Sequence, residues 1–217
     1  MKILCQDCDS GMADLPANSI DLIFTDPPYV KDLYREAYAL LGTHAPRLLK
    51  PSGFLITYAP QYHLHEIMQI LGKRLEWYWI CMQINRRESI LVHQKNAIAK
   101  HKPIVIYQKA PKKPNKRIFV DVIAGMKQKR YHPWEQSIHD ALHLLSRFAA
   151  PGDVVLDPFM GSGTTILAGN LLGLECIAPI LAEEANPRLD EAAKHADLAV
   201  KEYDIALARL LEAMERA

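Results

Sequence analysis

No apolar run in the 217-residue chain approaches the roughly 20 residues that a membrane span requires. The opening segment, MKILCQDCDS, has neither the basic region nor the apolar stretch of an export signal. A soluble, non-exported protein is therefore expected. Cysteine is scarce: Cys5, Cys8, Cys81 and Cys176 are too few and too scattered for a disulfide scaffold in a chain able to build a core, which points to a reducing compartment. Cys5 and Cys8 have metal-ligand spacing, but no second Cys or Cys/His pair matches them, so no metal is expected. Neither sign of charge dominates, with 26 Lys and Arg against 25 Asp and Glu. Taken alone, that balance argues against a nucleic-acid partner.

The balance conceals a segregation. Residues 1–94 carry 9 basic and 10 acidic side chains, residues 95–130 carry 11 and 1, and residues 131–217 carry 6 and 14. The middle block, 11 − 1 = +10, is either a solvated charged loop or a surface for a polyanion, whose phosphates dominate nucleic-acid affinity.

Short apolar runs alternate with helical patterns, as in an α/β sheet buried on both faces. Strands are expected over Lys2–Cys5, Ile20–Thr25, Phe54–Tyr58, Leu75–Met82, Pro103–Gln108, Val154–Asp157 and Glu175–Pro179. Helices are expected over Leu33–Leu49, His63–Gly72, Ser137–Ala149, Thr164–Leu172 and from Pro187 to about Arg216. The stretch Ala110–Arg117 (APKKPNKR) reads as a mobile loop. Length suits one domain spanning 1–217.

Two segments carry chemistry. Thr25-Asp26-Pro27-Pro28-Tyr29 directly follows an apolar strand, which puts it at the carboxyl edge of the sheet, where α/β proteins bind ligands. Two prolines stiffen the turn and remove two amide donors, leaving carbonyl acceptors. A carboxylate and a fixed carbonyl can both accept from an exocyclic NH₂, and Tyr29 can stack on the ring that bears it. A strand-capping turn with Asp26 closing a local bond is the alternative. The second segment, Val154-Val155-Leu156-Asp157-Pro158-Phe159-Met160-Gly161-Ser162-Gly163-Thr164-Thr165, is a strand, a Gly-rich turn and a helix start. Gly161 and Gly163 allow close backbone approach to a ligand, and Thr164 or Thr165 can cap the helix. The third glycine of a dinucleotide fingerprint is missing, since position 166 is Ile166, and no phosphate loop is present. The turn suits a ligand that is not a polyphosphate.

Asp-Pro-Pro-Tyr followed by Asp-Pro-Phe-Met-Gly-Ser-Gly-Thr-Thr, in that order, resembles the β group of S-adenosylmethionine-dependent DNA amino-methyltransferases, adenine-N6 type, in which the catalytic motif precedes the cofactor motif. The resemblance extends to Gln6-Asp7-Cys8, Leu48–Leu55, Lys102–Tyr107 and His132-Pro133-Trp134-Glu135-Gln136. It implies a Rossmann-like class I methyltransferase fold with a mostly parallel seven-stranded sheet, helices on both faces and a circularly permuted motif order. It implies methyl transfer to adenine N6 of a base flipped out of double-stranded DNA, with cytosine N4, RNA adenine or a catalytically silent DNA-binding subunit as alternatives.

The resemblance also assigns residues. Asp26 and the Pro27 carbonyl would hold the target amino group, with Pro28 completing the turn and Tyr29 stacking on the base. Asp157, Phe159, Gly161, Ser162, Gly163 and Thr164 would cradle S-adenosylmethionine, with Asp7 and Cys8 at its adenine. Where relatives read Gly-Ile-Glu-Ile-Asn-Pro, this chain reads Ala178-Pro179-Ile180-Leu181-Ala182-Glu183-Glu184-Ala185-Asn186-Pro187, so the ribose ligand is Glu183 or Glu184, with Glu184 favoured. His132 and Gln136 either line the cofactor or substrate channel or are structural, and Trp134 could be a lid on the core.

The basic loops of 84–131 are the expected DNA-recognition region: Arg86, Arg87, Lys95 and Lys100 in the first, and Lys112, Lys113, Lys116, Arg117, Lys127, Lys129 and Arg130 in the second. So small a reader predicts a short or relaxed site, or a homodimer. The segment 187–217 keeps a helical period that either packs on the sheet or self-associates. A restriction-modification setting in a prokaryotic or phage-encoded cytoplasmic protein completes the expectation.

Overall fold

The computed structural model describes residues 2–4, 6–30, 33–85, 90–125, 138–161 and 163–179. In chain order the elements are β1 (Lys2–Leu4), α1 (Cys8–Ala13), β2 (Ile20–Thr25), α2 (Leu33–Leu48), β3 (Leu49–Tyr58), α3 (Leu64–Leu71), β4 (Glu76–Asn85), β5 (Ile90–Val92), β6 (Ala97–Ala99), β7 (His101–Gln108), β8 (Val122–Gly125), α4 (Ile138–Phe148), β9 (Val154–Leu156), α5 (Thr164–Leu171) and β10 (Glu175–Pro179). The main sheet has eight strands in the order β1-β10-β9-β2-β3-β7-β4-β8. All run parallel except β7, which is antiparallel to both β3 and β4. The mostly parallel sheet is as expected from the sequence. It holds one strand more than the expected seven, because β8 adds to the free edge of β4.

Consecutive residues of the central strands point to opposite faces, as the period of two requires. Ile23, Leu55 and Val105 join one core with Met12, Leu41 and Ile67 of α1, α2 and α3. Phe24, Ile56 and Ile106 join the other with Leu144, Leu145 and Ile166 of α4 and α5. Both faces are thus covered by helices, and the central strands read as near-continuous apolar runs for that reason.

Two register pairs set the geometry of the sheet's carboxyl edge. β2 pairs β9 through Ile23 with Leu156, and β3 on its other side through Ile23 with Leu55. The chain leaves β2 toward β3 and the β7-β4-β8 edge, then returns to β9 and β10 on the other flank. The carboxyl ends of β2 and β9 therefore border the point where the strand order reverses, the place where open α/β sheets bind ligands.

The expected mobile loop is instead held at several points. The Ser52 hydroxyl donates to the Pro111 carbonyl (2.7 Å), Lys113 N donates to Gln108 Oε1 (2.9 Å), and Asn115 N donates to the Tyr78 hydroxyl (2.8 Å). Arg117 donates to the Ser146 and Ala149 carbonyls, and Asn115 to that of Arg147. These carbonyls end α4, where no intrahelical donor remains, so a cation with several donors completes them. The segment 187–217 lies outside the described residues.

Candidate active site

Thr25 closes β2 with its hydroxyl on Asp157 Oδ1, 2.6 Å away at the end of neighbouring β9. This one bond joins the two sequence motifs, 132 residues apart in the chain. Asp157 is 3% exposed, and Phe159 N also donates to its Oδ1 at 3.1 Å. Loss of water pushes its carboxyl up to about 6, against the lowering effect of hydrogen bonds from Thr165 and Thr25. Thr165, expected as a helix cap, therefore serves Asp157. The cap of α5 is Gly163, left-handed at φ 80°, with no side-chain oxygen on the first amides. Gly161 is also left-handed at φ 52°, and a Cβ built on it would meet only the Phe159 carbonyl, 3.8 Å away. Gly161 thus offers exposed backbone just ahead of the α5 N-terminus. Thr164 opens that helix, and Phe159 packs against the α1–α3 side of the core. Ser162 lies outside the described residues.

Asp26 follows Thr25 directly. Its Oδ2 accepts from Lys102 Nζ at 2.7 Å, and its Oδ1 accepts from the Tyr29 hydroxyl. The Asp26 side chain is 22% exposed and that of Lys102 only 15%. Lys102 Nζ also lies 4.6 Å from the centre of the Tyr29 ring and 4.5 Å from that of Tyr58. Tyr29 as a whole is partly open to solvent, but its hydroxyl is the end turned inward; loss of water first, and the Asp26 charge second, raise that hydroxyl well above the usual tyrosine range. Pro27 is buried and Pro28 exposed.

Lys102 did not stand out in the sequence from the rest of the basic block. The signal was its place at the mouth of an apolar strand: β7 is antiparallel to β3, so its first residues stand at the same edge as the end of β3 and Asp26. Its register partner on β4 is Gln83, itself fully buried, which donates through Nε2 to Asp140 Oδ2 on α4. Gln83 Oε1, Asp140 Oδ1 and the Tyr58 hydroxyl are buried and have no hydrogen-bond partner among the described residues. Burial raises the Asp140 carboxyl above its ordinary range, while the Gln83 bond lowers it.

On the other side of the cofactor motif, α1 starts at the carboxyl end of β1. Asp7 caps it, its Oδ1 accepting from the amides of Asp9 and Ser10 at 3.0 Å each, and these bonds hold its carboxyl below the usual range. Cys8 is the first helical residue, its thiol raised by burial. Asp7 and Cys8, Asp26 to Tyr29, Asp157 to Gly161, and Gly163 with Thr164 therefore share one edge of the sheet. His132, Trp134, Gln136, Glu183 and Glu184 lie outside the described residues. Among the described residues no group of three His, Cys, Asp or Glu could hold a metal ion, and no helix is long and apolar enough to cross a membrane.

The basic block divides between two edges. Lys95 and Lys100 belong to the β5–β6 hairpin, which is inserted between the carboxyl-edge ends of β4 and β7. Lys95 Nζ stands 5.5 Å over the Tyr62 ring, and Leu91 and Ile98, paired across the hairpin, are 49% and 62% exposed. Lys112, Lys113, Lys116 and Arg117 follow the far end of β7, where Gln108 pairs Phe54. That end is about 14 Å along the strand from Ile104, which is level with Tyr58, at ~3.4 Å per residue. The structure thus separates these four residues from Asp26, and it commits Arg117 to α4. Arg86, Arg87, Lys127, Lys129 and Arg130 lie outside the described residues.

Residues 124–186 match the family model N6_N4_Mtase, described as DNA methylase. YubD of Escherichia coli (strain K12), a methylase by name, is 25% identical over 197 residues, covering 82% of this chain and 83% of YubD. The type II methyltransferase M.HpaI of Haemophilus parainfluenzae is 27% identical over 207 residues, 75% of this chain; the match spans 64% of M.HpaI's own length. Among solved structures, a DNA modification methylase from Thermus thermophilus superposes with a TM-score of 0.72 at 20% identity, over 90% of this chain and 95% of that one. The M1.HpyAVI complex with SAM gives 0.67 at 22%, over 87% and 98%, and the cytosine-N4-specific PvuII DNA methyltransferase 0.70 at 14%, over 89% and 91%. The fold is that of these methyltransferases.

Proposed function

We propose that the chain is an S-adenosylmethionine-dependent DNA methyltransferase that methylates the N6 amino group of adenine in a base turned out of the duplex. The DNA methylase match over 124–186 and the curated methylase relatives support the coarser half of this reading. The observation that carries it is the Thr25–Asp157 bond, which fastens the Asp-Pro-Pro-Tyr turn beside the Gly-rich turn at the switch point of the sheet. Asp-Pro-Pro-Tyr, as against Ser-Pro-Pro-Tyr, supports adenine N6. Cytosine N4 is the second reading, favoured by the fold shared with the cytosine-N4-specific PvuII enzyme.

The residues present fit the cofactor: two left-handed glycines, open space above Gly161 and an α5 N-terminus without a side-chain cap leave room for a carboxylate-bearing ligand against the backbone. Phe159, Gly161, Ser162, Gly163 and Thr164 would hold its methionine part, Asp157 would anchor it from below, and Asp7, Cys8 and Glu184 would take the adenosine. S-adenosylmethionine, when bound, supplies a methyl group on a sulfonium. Asp26 accepts one hydrogen of the target amino group, the Pro27 carbonyl accepts the other, the two together aim the nitrogen lone pair, and the Tyr29 ring supports the base. That nitrogen receives the methyl group, and the amino proton displaced passes to Asp26, the carboxylate that already holds it. The chain's part is positioning and charge stabilisation. The amino nitrogen is occupied in a stacked pair, so the base must leave the duplex first.

The β5–β6 hairpin is the DNA-facing element of this reading. It rises from the edge that carries Asp26, with Lys95 and Lys100 for phosphates and the exposed Leu91–Ile98 pair at its centre. The test is calorimetric titration with S-adenosylmethionine. Stoichiometric binding is expected in the wild type and in Asp26→Ala; no binding in the wild type overturns the enzyme reading.

A further inference from the structure

Resting on the methyltransferase reading, we infer that Lys102 is a built-in occupant of the target-amine site, controlling which bases enter it. Its ammonium makes the contacts that an exocyclic amino group would make there. It donates to Asp26 Oδ2 at 2.7 Å and lies against the Tyr29 ring at 4.6 Å, with Tyr58 closing the far side at 4.5 Å. The Tyr29 hydroxyl takes the other oxygen of Asp26. A carboxylate with two aromatic faces is a box for a primary ammonium. An incoming amino nitrogen needs the same oxygen at the same distance, and two nitrogens do not fit one box. The base therefore enters by displacing a charged competitor.

The displaced lysine has a second berth. Gln83 stands directly across the ladder from Lys102, on the same face of the sheet, and directly opposed residues of an antiparallel pair have Cα atoms about 4.5–5.5 Å apart. Behind it, Gln83 Oε1, Asp140 Oδ1 and the Tyr58 hydroxyl are buried without a hydrogen-bond partner among the described residues. Buried acceptors without donors are uncommon in a folded chain, and here two of the three belong to a carboxylate and the amide bonded to it, on the side of the box away from Asp26. A flexible four-carbon arm lets the ammonium exchange one carboxylate for the other. Asp26 is thereby freed for the base while the charge of Lys102 stays compensated by Asp140. A flipped base with a good donor group and good stacking wins this exchange, and one without an amino group does not. Lys102 thus acts as a positioning residue that sets the threshold for entry.

The test is steady-state transfer to unmethylated plasmid DNA by Lys102→Met, Asp140→Asn and the double variant. Lys102→Met is expected to lower KM for DNA by about tenfold with kcat held or raised, whereas Asp140→Asn raises KM. In the double variant the Asp140→Asn effect disappears. A fall in kcat on Lys102→Met with cofactor binding intact, an unchanged KM, or additive effects in the double variant overturns the inference. Should the wild type transfer no methyl group, the functional reading fails, and the placement of Lys102 is decided by acylation with a succinimidyl ester followed by peptide mass spectrometry. Lys102 should label several-fold more slowly than Lys100 in the wild type and faster in Asp26→Asn. Equal labelling of Lys102 in both proteins overturns the placement.

Discussion

Asp26 combines partial exposure with donors fixed on Lys102 and Tyr29, and its role separates from that of its neighbour Asp157 by environment. Asp26 is partly exposed and faces Lys102 and Tyr29, so it can exchange partners. Asp157 is buried and ties β2, β9 and the following turn together, so it cannot exchange partners without opening the turn. Replacing Asp26 with Ala is predicted to abolish methyl transfer while S-adenosylmethionine still binds, measured by filter assay and calorimetry on the same protein; surviving transfer would remove Asp26 from the chemistry. For Asp157 the prediction concerns pH. Its pKa rises on folding from 3.8 to about 6, so ionising it costs the folded state stability as pH rises. Relative to the protonated form, this amounts at pH 7 to something on the order of 3 kcal/mol, at ~1.4 kcal/mol per unit. Its contribution to stability is present below about pH 4 and lost as pH climbs through about 6. Asp157→Asn, neutral throughout, should therefore lie higher in thermal midpoint relative to wild type at pH 7 than at pH 4. A difference between the two proteins that does not change with pH would contradict this assignment.

At the scale of elements, α1 and the hairpin are the informative pieces. A Cβ added at Gly11 would stand 2.5 Å from the Cβ of Pro179, a rigid ring at the end of β10. Ala gains up to about 1 kcal/mol over Gly in a helix, but forcing an atom into a closed contact costs about 1–3 kcal/mol, so Gly11→Ala is expected to lower the thermal midpoint and displace the Asp7 cap. An unchanged midpoint would mean that α1 does not sit tightly on β10. For DNA binding, Lys95→Ala with Lys100→Ala is expected to reduce the slope of log affinity against log salt by about 2, one for each phosphate that is no longer neutralised. Lys112→Ala with Lys113→Ala and Lys116→Ala, at the opposite edge, should leave the slope unchanged. The reverse pattern would move the DNA to the other edge of the sheet.

These elements also show how far the sequence was legible. β2 and β10 match the expected strands residue for residue, because both are short buried apolar runs closed by prolines or glycines. α2, α3, α4 and α5 match to within one residue at each end. β5, β6 and β8 had no such signature: each is three or four residues long, and Leu91, Ile98 and Val122 are exposed, so no alternation marks them. The loop after β7 looked mobile from its prolines and lysines. Its anchors are carbonyls of α4 and a Tyr78 hydroxyl, partners that only the tertiary fold supplies. Within the site, both motifs were readable as a strand end and a strand–turn–helix, whereas the Thr25–Asp157 bond that joins them was not. The cap formed by Asp7, the Thr165 bond to Asp157 and the Lys102 box were not, since each depends on which side chain faces another across the fold.

For the whole molecule, the near-neutral charge sum resolves into a sheet with two different uses of basic side chains. At the carboxyl edge Lys95, Lys100 and Lys102 surround the candidate site, and at the opposite edge Lys109 and Arg117 bind backbone carbonyls and hold loops. The +10 block is thus part scaffold and, under the proposed function, part binding surface. Methylation of adenine N6 in DNA is tested most directly by nucleoside mass spectrometry of DNA from an expressing host devoid of its own base methylation. N6-methyladenine is predicted in the wild-type strain and absent with Asp26→Ala; N4-methylcytosine in its place, or no methylated base while the folded protein binds S-adenosylmethionine, would contradict the account.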